Sequence, residues 1–323
     1  MTSAQSEIPD ILESVGRVVR RARRVTIDED AIRRWAVQFG NGALHAHAAD
    51  DPLMLNGSRE ECANFALMSD ALNFCFWSDE PWEVEYQGHR WTRTFAMLAG
   101  LRRAIERDRS WLSAACWAQC GDAEVATLFR GQGTIPLPAQ RGAVLRETGA
   151  VLEEQFGGHF RTLVTEQGGD AGRIAYRLAQ CFPSFRDVSH YDGEPVAFLK
   201  RAQICAADLH RLWRANGFAG LDNLEALTVF ADYRLPQLFR NEGMLRLDEE
   251  LAQRIDRGEL IEAGSPEEVE IRAATVWIGK LLCEALRQHG RAASPWEVDY
   301  ELWLRAKAPE VAVPHHRTVT CFY

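Results

Sequence analysis

The sequence predicts an all-α protein, mainly helical, with a small β-hairpin insertion. Apolar residues recur at spacings of three and four along most of the chain, as in helices that bury one face. Alternating patterns typical of strands are few and short. No segment repeats with a period of about 20 to 50 residues, which excludes a solenoid. No long linker rich in Pro, Gly or Ser interrupts the chain, so we expect a single helical domain over residues 1–323, as one body or as two lobes.

The helical periodicity predicts nine helices, and local signals mark several of their ends. Gly157 and Gly158 follow one apolar pattern and Gly217 follows another, and glycine favours the left-handed conformation that ends a helix. Ser265 and Ser294 are predicted N-caps, because each precedes a proline, which fits the first helical position. In chain order, the predicted helices span residues 6–23, 29–39, 91–107, 139–156, 195–216, 222–240, 247–257, 266–288 and 295–306.

Strand signals are confined to three short places. Extended pieces at 84–86 and 89–91 flank a Gln-Gly pair at 87–88, which predicts a hairpin. The Tyr-Asp-Gly sequence at 191–193 predicts a turn between two further extended pieces. Alternation over 318–323 predicts an edge strand at the end of the sequence.

The charge balance limits the possible partners. Lys and Arg number 37 and Asp and Glu number 46, so the net charge is −9. Such a surface repels the phosphate backbone of a long nucleic acid, which disfavours duplex or polymer binding. A single phosphorylated nucleotide in a local basic pocket remains compatible with this charge. The expected partner is therefore a small molecule.

The cysteines and the hydropathy pattern predict a cytoplasmic protein. None of the eight cysteines forms a Cys-x-x-Cys pair, and we expect them to be reduced and mostly buried. Residues 1–10 lack the apolar stretch of a signal peptide, and no run of about 18 apolar residues predicts a membrane span. His45 and His47 have the spacing of a metal-binding pair, but no third ligand lies at a useful spacing. We therefore predict neither a metal nor a cofactor.

An aromatic run at 73–82 has neither helical nor strand periodicity. It contains Phe74, Phe76 and Trp77 and follows Asp70. Aromatic residues in such a segment either belong to the core or form a stacking surface for a flat heterocycle. The sequence leaves both interpretations open.

A second unusual segment, 230–237, places polar residues inside an apolar helical pattern. Asp232, Arg234 and Gln237 fall among apolar positions, where polar side chains are costly unless they are paired. One interpretation is pairing between Asp232 and Arg234 or with the backbone. The other is a polar cluster directed at the hydrogen-bonding edge of a ligand.

The order of elements in 247–306 resembles that of helix-hairpin-helix DNA glycosylases. A helix, a tight turn containing Gly264 and a second helix precede the sequence Val-Asp-Tyr-Glu-Leu-Trp at 298–303. In that superfamily, the catalytic aspartate lies at the start of the helix after the hairpin, and Asp299 falls there. The hairpin glycines are only partly present. Lys280 lies too far along the second helix to be a Schiff-base nucleophile, so simple hydrolysis is favoured over a lyase step.

A series of longer motifs is spread over most of the chain. In chain order they lie at 64–77 (Asn-Phe-Ala-Leu-Met-Ser-Asp-Ala-Leu-Asn-Phe-Cys-Phe-Trp), 182–187, 198–204, 230–237, 267–273 and 314–318. With these motifs, the sequence resembles the queuosine-salvage protein family, the queuosine 5'-phosphate N-glycosylases. That resemblance implies a helical, DNA-glycosylase-like fold. It also implies hydrolysis of queuosine 5'-phosphate to queuine and ribose 5-phosphate, which salvages queuine for tRNA modification.

This chemistry assigns expected roles to individual residues. Hydrolysis of an N-glycosidic bond passes through an oxocarbenium-like sugar, and Asp299 is the predicted catalytic residue, as transition-state stabiliser or as nucleophile. Asp232 is expected to accept hydrogen bonds from the guanine-like edge of queuine, and either Asp70 or Asp79 to bind its cationic side chain. The candidates for the 5'-phosphate are Lys200, Arg201, Arg272, His315, His316 and Arg317, and Lys200 stands out because it lies inside an apolar helical pattern. The full set of predicted substrate-binding residues is His45, Asp70, Phe74, Phe76, Trp77, Lys200, Phe230, Asp232, Tyr233, Arg234, Arg272 and Trp303.

Two other functions remain as alternatives. A DNA-repair base glycosylase would share the fold and the aspartate, but it needs a basic face for its duplex, which the acidic charge balance disfavours. A non-catalytic nucleotide-binding module would keep the aromatic and polar residues without needing Asp299. Turnover distinguishes the last alternative, because a binding module retains its ligand and releases no free base.

Overall fold

A computed structural model of the chain describes residues 8–40, 53–291 and 293–323. Helices dominate these ranges, which confirms the predicted helical class. The α-helices are α1 (Ile11–Arg21), α2 (Glu29–Gly40), α3 (Arg59–Ala71), α4 (Arg93–Arg107), α5 (Ala114–Gln119), α6 (Asp122–Leu128), α7 (Pro138–Phe156), α8 (Phe160–Glu166), α9 (Ala171–Cys181), α10 (Lys200–Ala215), α11 (Arg234–Asn241), α12 (Glu249–Asp256), α13 (Pro266–Gln288) and α14 (Pro295–Arg305). Short 3-10 helices cover Arg109–Leu112, Pro183–Phe185 and Leu224–Ala226.

Short strands in the described residues form antiparallel pairs. They are β1 (Val25–Ile27), β2 (Glu83–Tyr86), β3 (His89–Thr92), β4 (Val188–Tyr191), β5 (Glu194–Ala197) and β6 (Leu245–Leu247). The β2–β3 and β4–β5 hairpins confirm the two turns that the sequence predicts. In the first, Gln87 and Gly88 have φ values of 51° and 75°, as a type I′ turn requires. The β1–β6 pair, with Val25 opposite Leu247, joins distant parts of the chain and was not predicted.

The chain divides into two compact units, each assembled from several stretches of sequence. The first unit comprises residues 1–46, 187–200 and 224–319, and the second comprises 47–186, 201–223 and 320–323. The helix-hairpin-helix segment predicted at 247–306 lies wholly within the first unit. The single domain predicted over 1–323 stays a prediction.

Helix α13 is the centre of the first unit. It packs against α1, α2, α11 and α14. Its apolar residues Ile271, Ile278 and Leu282 belong to one buried cluster with Ile32 and Phe39 of α2. Burial of these side chains contributes about 1.5–3 kcal/mol each to stability. Most of α13 is therefore fixed by packing on several sides.

In the second unit, α5 packs closely on α7. A Cβ atom added at Gly149 of α7 would lie 2.4 Å from the backbone nitrogen of Ala118, so only glycine fits there.

All eight cysteines of the chain are free, and five of them are buried, which agrees with the prediction of reduced, mostly buried cysteines.

Local signals predicted several helix ends well. Helix α13 has the bounds 266–288 that its sequence predicts, and Ser265 caps it by accepting a hydrogen bond from Glu268 N. In α14, the Glu297 carboxylate accepts the Ser294 backbone N–H at 2.9 Å, which completes the start of that helix. Residues within one turn decide where α13 and α14 begin, so the sequence alone specifies these two helix starts.

The helix predicted at 222–240 is wrong. After the 3-10 turn at Leu224–Ala226 the backbone is irregular, and α11 begins only at Arg234. Pro236 explains part of this, because it lacks an N–H and its ring clashes with a preceding helical turn. The side chains of Asp299 and Arg272 form hydrogen bonds with this irregular backbone instead.

Two other predictions need correction at the ends of elements. The segment predicted as a helix over 195–216 begins in β5, and α10 starts only at Lys200, after Leu199 with φ of 48°. No strand forms over 318–323. Arg317 instead makes an isolated bridge with Leu260. Helix α3, which bears Asp70, was not among the predicted helices.

Candidate functional site

Residues 229–233 form an irregular segment in the first unit, which we call the 229–233 segment. Val229 packs against α13 where there is no side chain, since a Cβ at Gly279 would lie 2.2 Å from Val229 Cγ2. The Phe230 N–H donates to Asp299 Oδ1 at 2.7 Å, and the Ala231 carbonyl accepts from Arg272 Nε at 3.2 Å. These contacts hold the backbone in a non-helical conformation.

Asp299 lies behind this segment. It is in the second turn of α14 and only 7% of it is exposed. One oxygen of its carboxylate holds the Phe230 N–H. Trp303, one turn later in α14, is partly buried, and its ring stacks against that of Tyr300 at 6.2 Å. The Asp299 carboxylate thus fixes the Phe230 N–H of the 229–233 segment.

Asp232 is the more exposed of the two carboxylates. It is partly buried, and its Oδ1 accepts the backbone N–H groups of Arg234 at 2.7 Å and Leu235 at 3.0 Å. These bonds cap the start of α11, where the helix dipole favours negative charge. The Arg234 side chain donates to Gln237 Oε1 at 2.9 Å. Local pairing therefore accounts for part of the polar cluster that the sequence singles out at 230–237.

Phe230 and Tyr233 are both 7% exposed, and Tyr233 has a histidine against its ring. The His315 ring lies 4.7 Å from that of Tyr233, and His315 Nδ1 is 2.7 Å from the His316 carbonyl oxygen. Because a carbonyl only accepts, Nδ1 carries the proton in this hydrogen bond. The bond fixes the orientation of the imidazole beside Tyr233.

His316, by contrast, faces the interior. It is 3% exposed, and burial lowers its pKa from 6.5 to about 3, with further lowering by the neighbouring His315 and Arg272. The ring is therefore neutral in the folded protein over most of the pH range. A charged phosphate ligand role for His316 is unfavourable in this conformation, because the imidazolium would have to form inside the core.

Acid should destabilise the protein through His316. Between the unfolded pKa of 6.5 and the folded pKa of about 3, the unfolded state binds a proton that the folded state does not. The free energy of unfolding should thus fall as pH is lowered through this window, by up to about 1.4 kcal/mol per pH unit. Urea unfolding from pH 7 to pH 4 measures this slope. His316→Gln should flatten it, and an unchanged slope in that variant would contradict the assignment.

Two of the predicted phosphate ligands, Lys200 and Arg272, are buried in the first unit. Lys200, at the first position of α10, is 5% exposed, and its backbone N–H donates to Asp187 Oδ2 at 3.1 Å. Arg272 is 1% exposed and donates to Asp187 Oδ1 and Oδ2 at 2.9 and 2.7 Å. Its guanidinium also lies 4.0 Å from the centre of the Phe198 ring. The Arg272 guanidinium is therefore engaged by Asp187 and Phe198, while Lys200 is the first residue of α10.

The aromatic run is held by two buried arginines of the second unit. Phe74 has no exposed surface, and the guanidinium carbons of Arg141 and Arg201 lie 4.3 and 5.0 Å from the centre of its ring. Phe76, 4.8 Å from Arg141, and Trp77 are partly exposed. In this conformation Phe74 belongs to the core, so access to a flat ligand is greater at Phe76 and Trp77.

Asp70, at the end of α3, is 1% exposed. Its Oδ1 accepts from Asn73 Nδ2 at 3.1 Å, and Arg201 donates to the backbone carbonyls of Asp70 and Ala71. Arg141 in α7 donates to the carbonyls of residues 72, 74, 75 and 136. These two arginines fix the conformation of the loop that carries the aromatic run.

The structure thus brings only part of the predicted set together. Asp299, Phe230, Asp232, Tyr233 and Arg234 meet at the 229–233 segment, while Asp70, Phe74, Phe76 and Trp77 gather at the end of α3. His45 lies outside the described residues. Among the described residues, no group of three or more His, Cys, Asp or Glu side chains could hold a metal ion.

Sequence reasoning missed two residues that organise these groups. Asp187 joins Lys200 to Arg272, and Arg141 holds the aromatic loop. Asp187 ends a motif of unusual composition, Phe-Pro-Ser-Phe-Arg-Asp, which was a usable signal. Arg141 lies near the start of a helix rich in polar residues, where nothing local distinguishes a buried arginine from an exposed one.

Comparison with known proteins decides the family. The family model described as queuosine salvage protein matches residues 53–323. The chain belongs to the queuosine salvage protein family. Relatives across nearly the whole length agree with this. A protein of Sphaerobacter thermophilus is 41% identical over 314 residues, which are 97% of both chains. Proteins of Mus musculus and Bos taurus are 32% and 30% identical over 96% of this chain and 98% of their own.

These three relatives carry the same name, queuosine 5'-phosphate N-glycosylase/hydrolase. The family resemblance stated from the sequence motifs is confirmed. Among the residues that the structure describes, no helix is long and apolar enough to cross a membrane.

Proposed function

We propose that this queuosine salvage protein hydrolyses the N-glycosidic bond of queuosine 5'-phosphate and releases queuine and ribose 5-phosphate. The observation that carries the proposal is the 41% identity, over 97% of both chains, with a protein named for this activity. The site supports it, since two carboxylates, Asp232 and Asp299, are held at one short segment. Hydrolysis through an oxocarbenium-like sugar needs such a carboxylate.

The two carboxylates have different accessibility, and we assign their roles accordingly. Asp232 is the one that a nucleotide reaches more easily, so it faces the anomeric carbon and stabilises the positive charge that develops there. Asp299 holds the Phe230 N–H from behind and adds negative potential at short range. The opposite assignment, with Asp299 as the catalytic carboxylate, is the one that sequence alone predicts, and mutation distinguishes the two.

Several of the other predicted residues bind the rest of the nucleotide. Tyr233 and Phe230 line the base subsite next to His315. We assign the 5'-phosphate to Lys200, because this residue is the first of α10 and the helix dipole there also favours an anion. Phe76, Trp77 and Asp70, which lie in the second unit, stay predictions from the sequence motifs as residues that bind the base and its cationic side chain.

The biological role follows from this reaction. The substrate is a small nucleotide left by tRNA turnover, and queuine returns to tRNA modification. We propose that the protein acts in the cytoplasm on this free nucleotide, without a polymeric nucleic acid as partner. The net charge of −9 supports a small substrate, because it repels a nucleic-acid backbone.

We also propose a distant relation to helix-hairpin-helix DNA glycosylases. Support comes from the order α12, a tight turn in which Gly264 has φ of 76°, α13 and then α14. Asp299 lies near the start of α14, as the catalytic aspartate of that superfamily does in its own helix.

A product assay tests the function. The purified protein is incubated separately with queuosine 5'-phosphate, queuosine, GMP and a duplex containing a damaged base, and free base is detected by mass spectrometry. We expect queuine from queuosine 5'-phosphate and no base from GMP or from the duplex. Release from the duplex alone would identify a repair glycosylase. Tight binding of queuosine 5'-phosphate without any released base would identify a binding module and overturn the proposal.

A further inference from the structure

We propose that the buried Asp187–Arg272 ion pair is a positioning element that sets Lys200 and Asp232 at the separation that queuosine 5'-phosphate requires. The inference rests on the proposed function, because it takes Lys200 as the phosphate ligand and Asp232 as the carboxylate beside the sugar. Neither Asp187 nor Arg272 needs to touch the substrate for this role.

Asp187 controls the start of α10. Its Oδ2 accepts the Lys200 N–H at 3.1 Å, and its backbone carbonyl accepts from Phe198 N at 3.0 Å and Leu199 N at 3.2 Å. Leu199 has φ of 48°, a left-handed conformation that residues other than glycine adopt only at a cost in free energy. The turn that presents Lys200 is therefore held in an unfavourable conformation by one aspartate.

Arg272 controls the 229–233 segment. Two of its nitrogens bind both oxygens of Asp187, and its Nε donates to the Ala231 carbonyl at 3.2 Å. Ala231 immediately precedes Asp232. The side chains of Asp187 and Arg272 are 3% and 2% exposed, so this ion pair is buried from solvent. One guanidinium thereby links the backbone of Asp232 to the aspartate that holds Lys200.

The energetics favour a role in geometry over one in stability. Removing two charges from water is costly, so a buried ion pair is often no more stabilising than apolar residues of the same volume. The rigid, two-pronged contact between guanidinium and carboxylate instead fixes direction and distance. Loss of the pair should relax the turn at Leu199 and free the Ala231 carbonyl together, which changes the distance between phosphate and sugar subsites.

The test compares Asp187→Asn with a matched control, Glu270→Gln. Both carboxylate oxygens of Asp187 accept hydrogen bonds. In Asp187→Asn, the NH2 group of the new amide therefore faces a hydrogen-bond donor in either orientation of the amide. Glu270 lies on the same helix as Arg272 and is 1% exposed. Both of its carboxylate oxygens also accept hydrogen bonds, from the N–H groups of residues 23 and 24 and from the Tyr191 hydroxyl. Both variants should unfold at lower temperature than the wild type, by similar amounts.

Selectivity for the phosphate separates positioning from general destabilisation. For each protein, kcat/KM is measured with queuosine 5'-phosphate and with queuosine, below the unfolding transition. In Asp187→Asn we expect the preference for the phosphorylated substrate to fall about tenfold or more, mainly through KM, as in Lys200→Ala. In Glu270→Gln the preference should stay within about twofold of wild type. An unchanged preference in Asp187→Asn, or an equal loss in Glu270→Gln, would overturn the inference.

A binding measurement distinguishes failure of the positioning inference from failure of the proposed hydrolase function. If the wild type turns over neither substrate, the proposed function fails by itself. Stabilisation by ribose 5-phosphate in a thermal unfolding assay then examines the phosphate subsite directly. Stabilisation of wild type and Glu270→Gln, but not of Asp187→Asn or Lys200→Ala, supports the positioning role. Absence of stabilisation in the wild type, or its persistence in Asp187→Asn, contradicts it.

Discussion

Replacing Asp232 by Asn should lower kcat for queuosine 5'-phosphate by about a thousandfold or more while the protein stays folded. The expected size is that of removing an electrostatic stabiliser of a transition-state charge. Asn keeps an oxygen that can accept the N–H groups of Arg234 and Leu235 from its place just before Tyr233, the N-cap of α11. The substitution therefore removes the negative charge and leaves the start of α11 intact.

The matched variant is Asp299→Asn. Its amide oxygen can still accept the Phe230 N–H, so a residue that acts by holding the backbone should tolerate the change. We expect kcat to fall by no more than about tenfold, whereas Asp299→Ala, which loses the hydrogen bond, should fall much further. Asp232→Asn and Asp299→Asn both keep the carbon framework of the site, so the comparison between them is one of charge.

Single-turnover rates and KM values with queuosine 5'-phosphate measure these effects, and circular dichroism with thermal unfolding confirms the fold. If Asp299→Asn loses all turnover and Asp232→Asn only raises KM, Asp299 is the catalytic carboxylate and Asp232 binds the base. That outcome would restore the assignment made from sequence and would leave the reaction class unchanged.

Replacing Arg141 by Leu should lower the free energy of unfolding by about 3–5 kcal/mol, because several buried groups lose their partner at once. Arg141 has no exposed surface, and it donates to the backbone carbonyls of Leu72, Phe74, Cys75 and Pro136. Leu fills part of the volume but satisfies none of these oxygens. The stacking of the guanidinium against Phe74 is also lost.

Arg146→Leu is the control for this change. Arg146 lies on the same helix, α7, with 36% of its side chain exposed, and it binds the carboxylate of Asp122 and the carbonyl of Cys120. An exposed pair contributes about 0–1 kcal/mol, so this variant should lose little stability. Urea unfolding at pH 7 measures both. Equal losses in the two variants would show that Arg141 does not hold the aromatic loop in the way its hydrogen bonds indicate.

Helix α13 and the β2–β3 hairpin show what could be predicted from short stretches of sequence. A serine, a proline and acidic residues begin α13, and Gln87-Gly88 adopts the turn of the hairpin. The interactions that decide these features lie within one turn of chain. Their residue types therefore carry the information by themselves.

The segment around Asp232 shows where prediction failed. Apolar spacing over 222–240 indicates a helix, but the backbone there is held by Asp299, 69 residues away from Phe230, and by Arg272, 41 residues away from Ala231. Pro236 was the one local signal against a continuous helix. Which backbone group meets which distant side chain depends on packing, and apolar periodicity does not record it.

The sequence by itself determined the helical class, the family and the chemical types at the site: two carboxylates, aromatic residues and a lysine within an apolar pattern. Those properties come from composition, local periodicity and motif order, which need no knowledge of distant contacts. Only the tertiary structure decided that Phe74 is buried and that Arg272 pairs with Asp187, 85 residues away. Burial and pairing depend on which elements pack together, and the free energy of a charged group depends on that environment more than on its residue type.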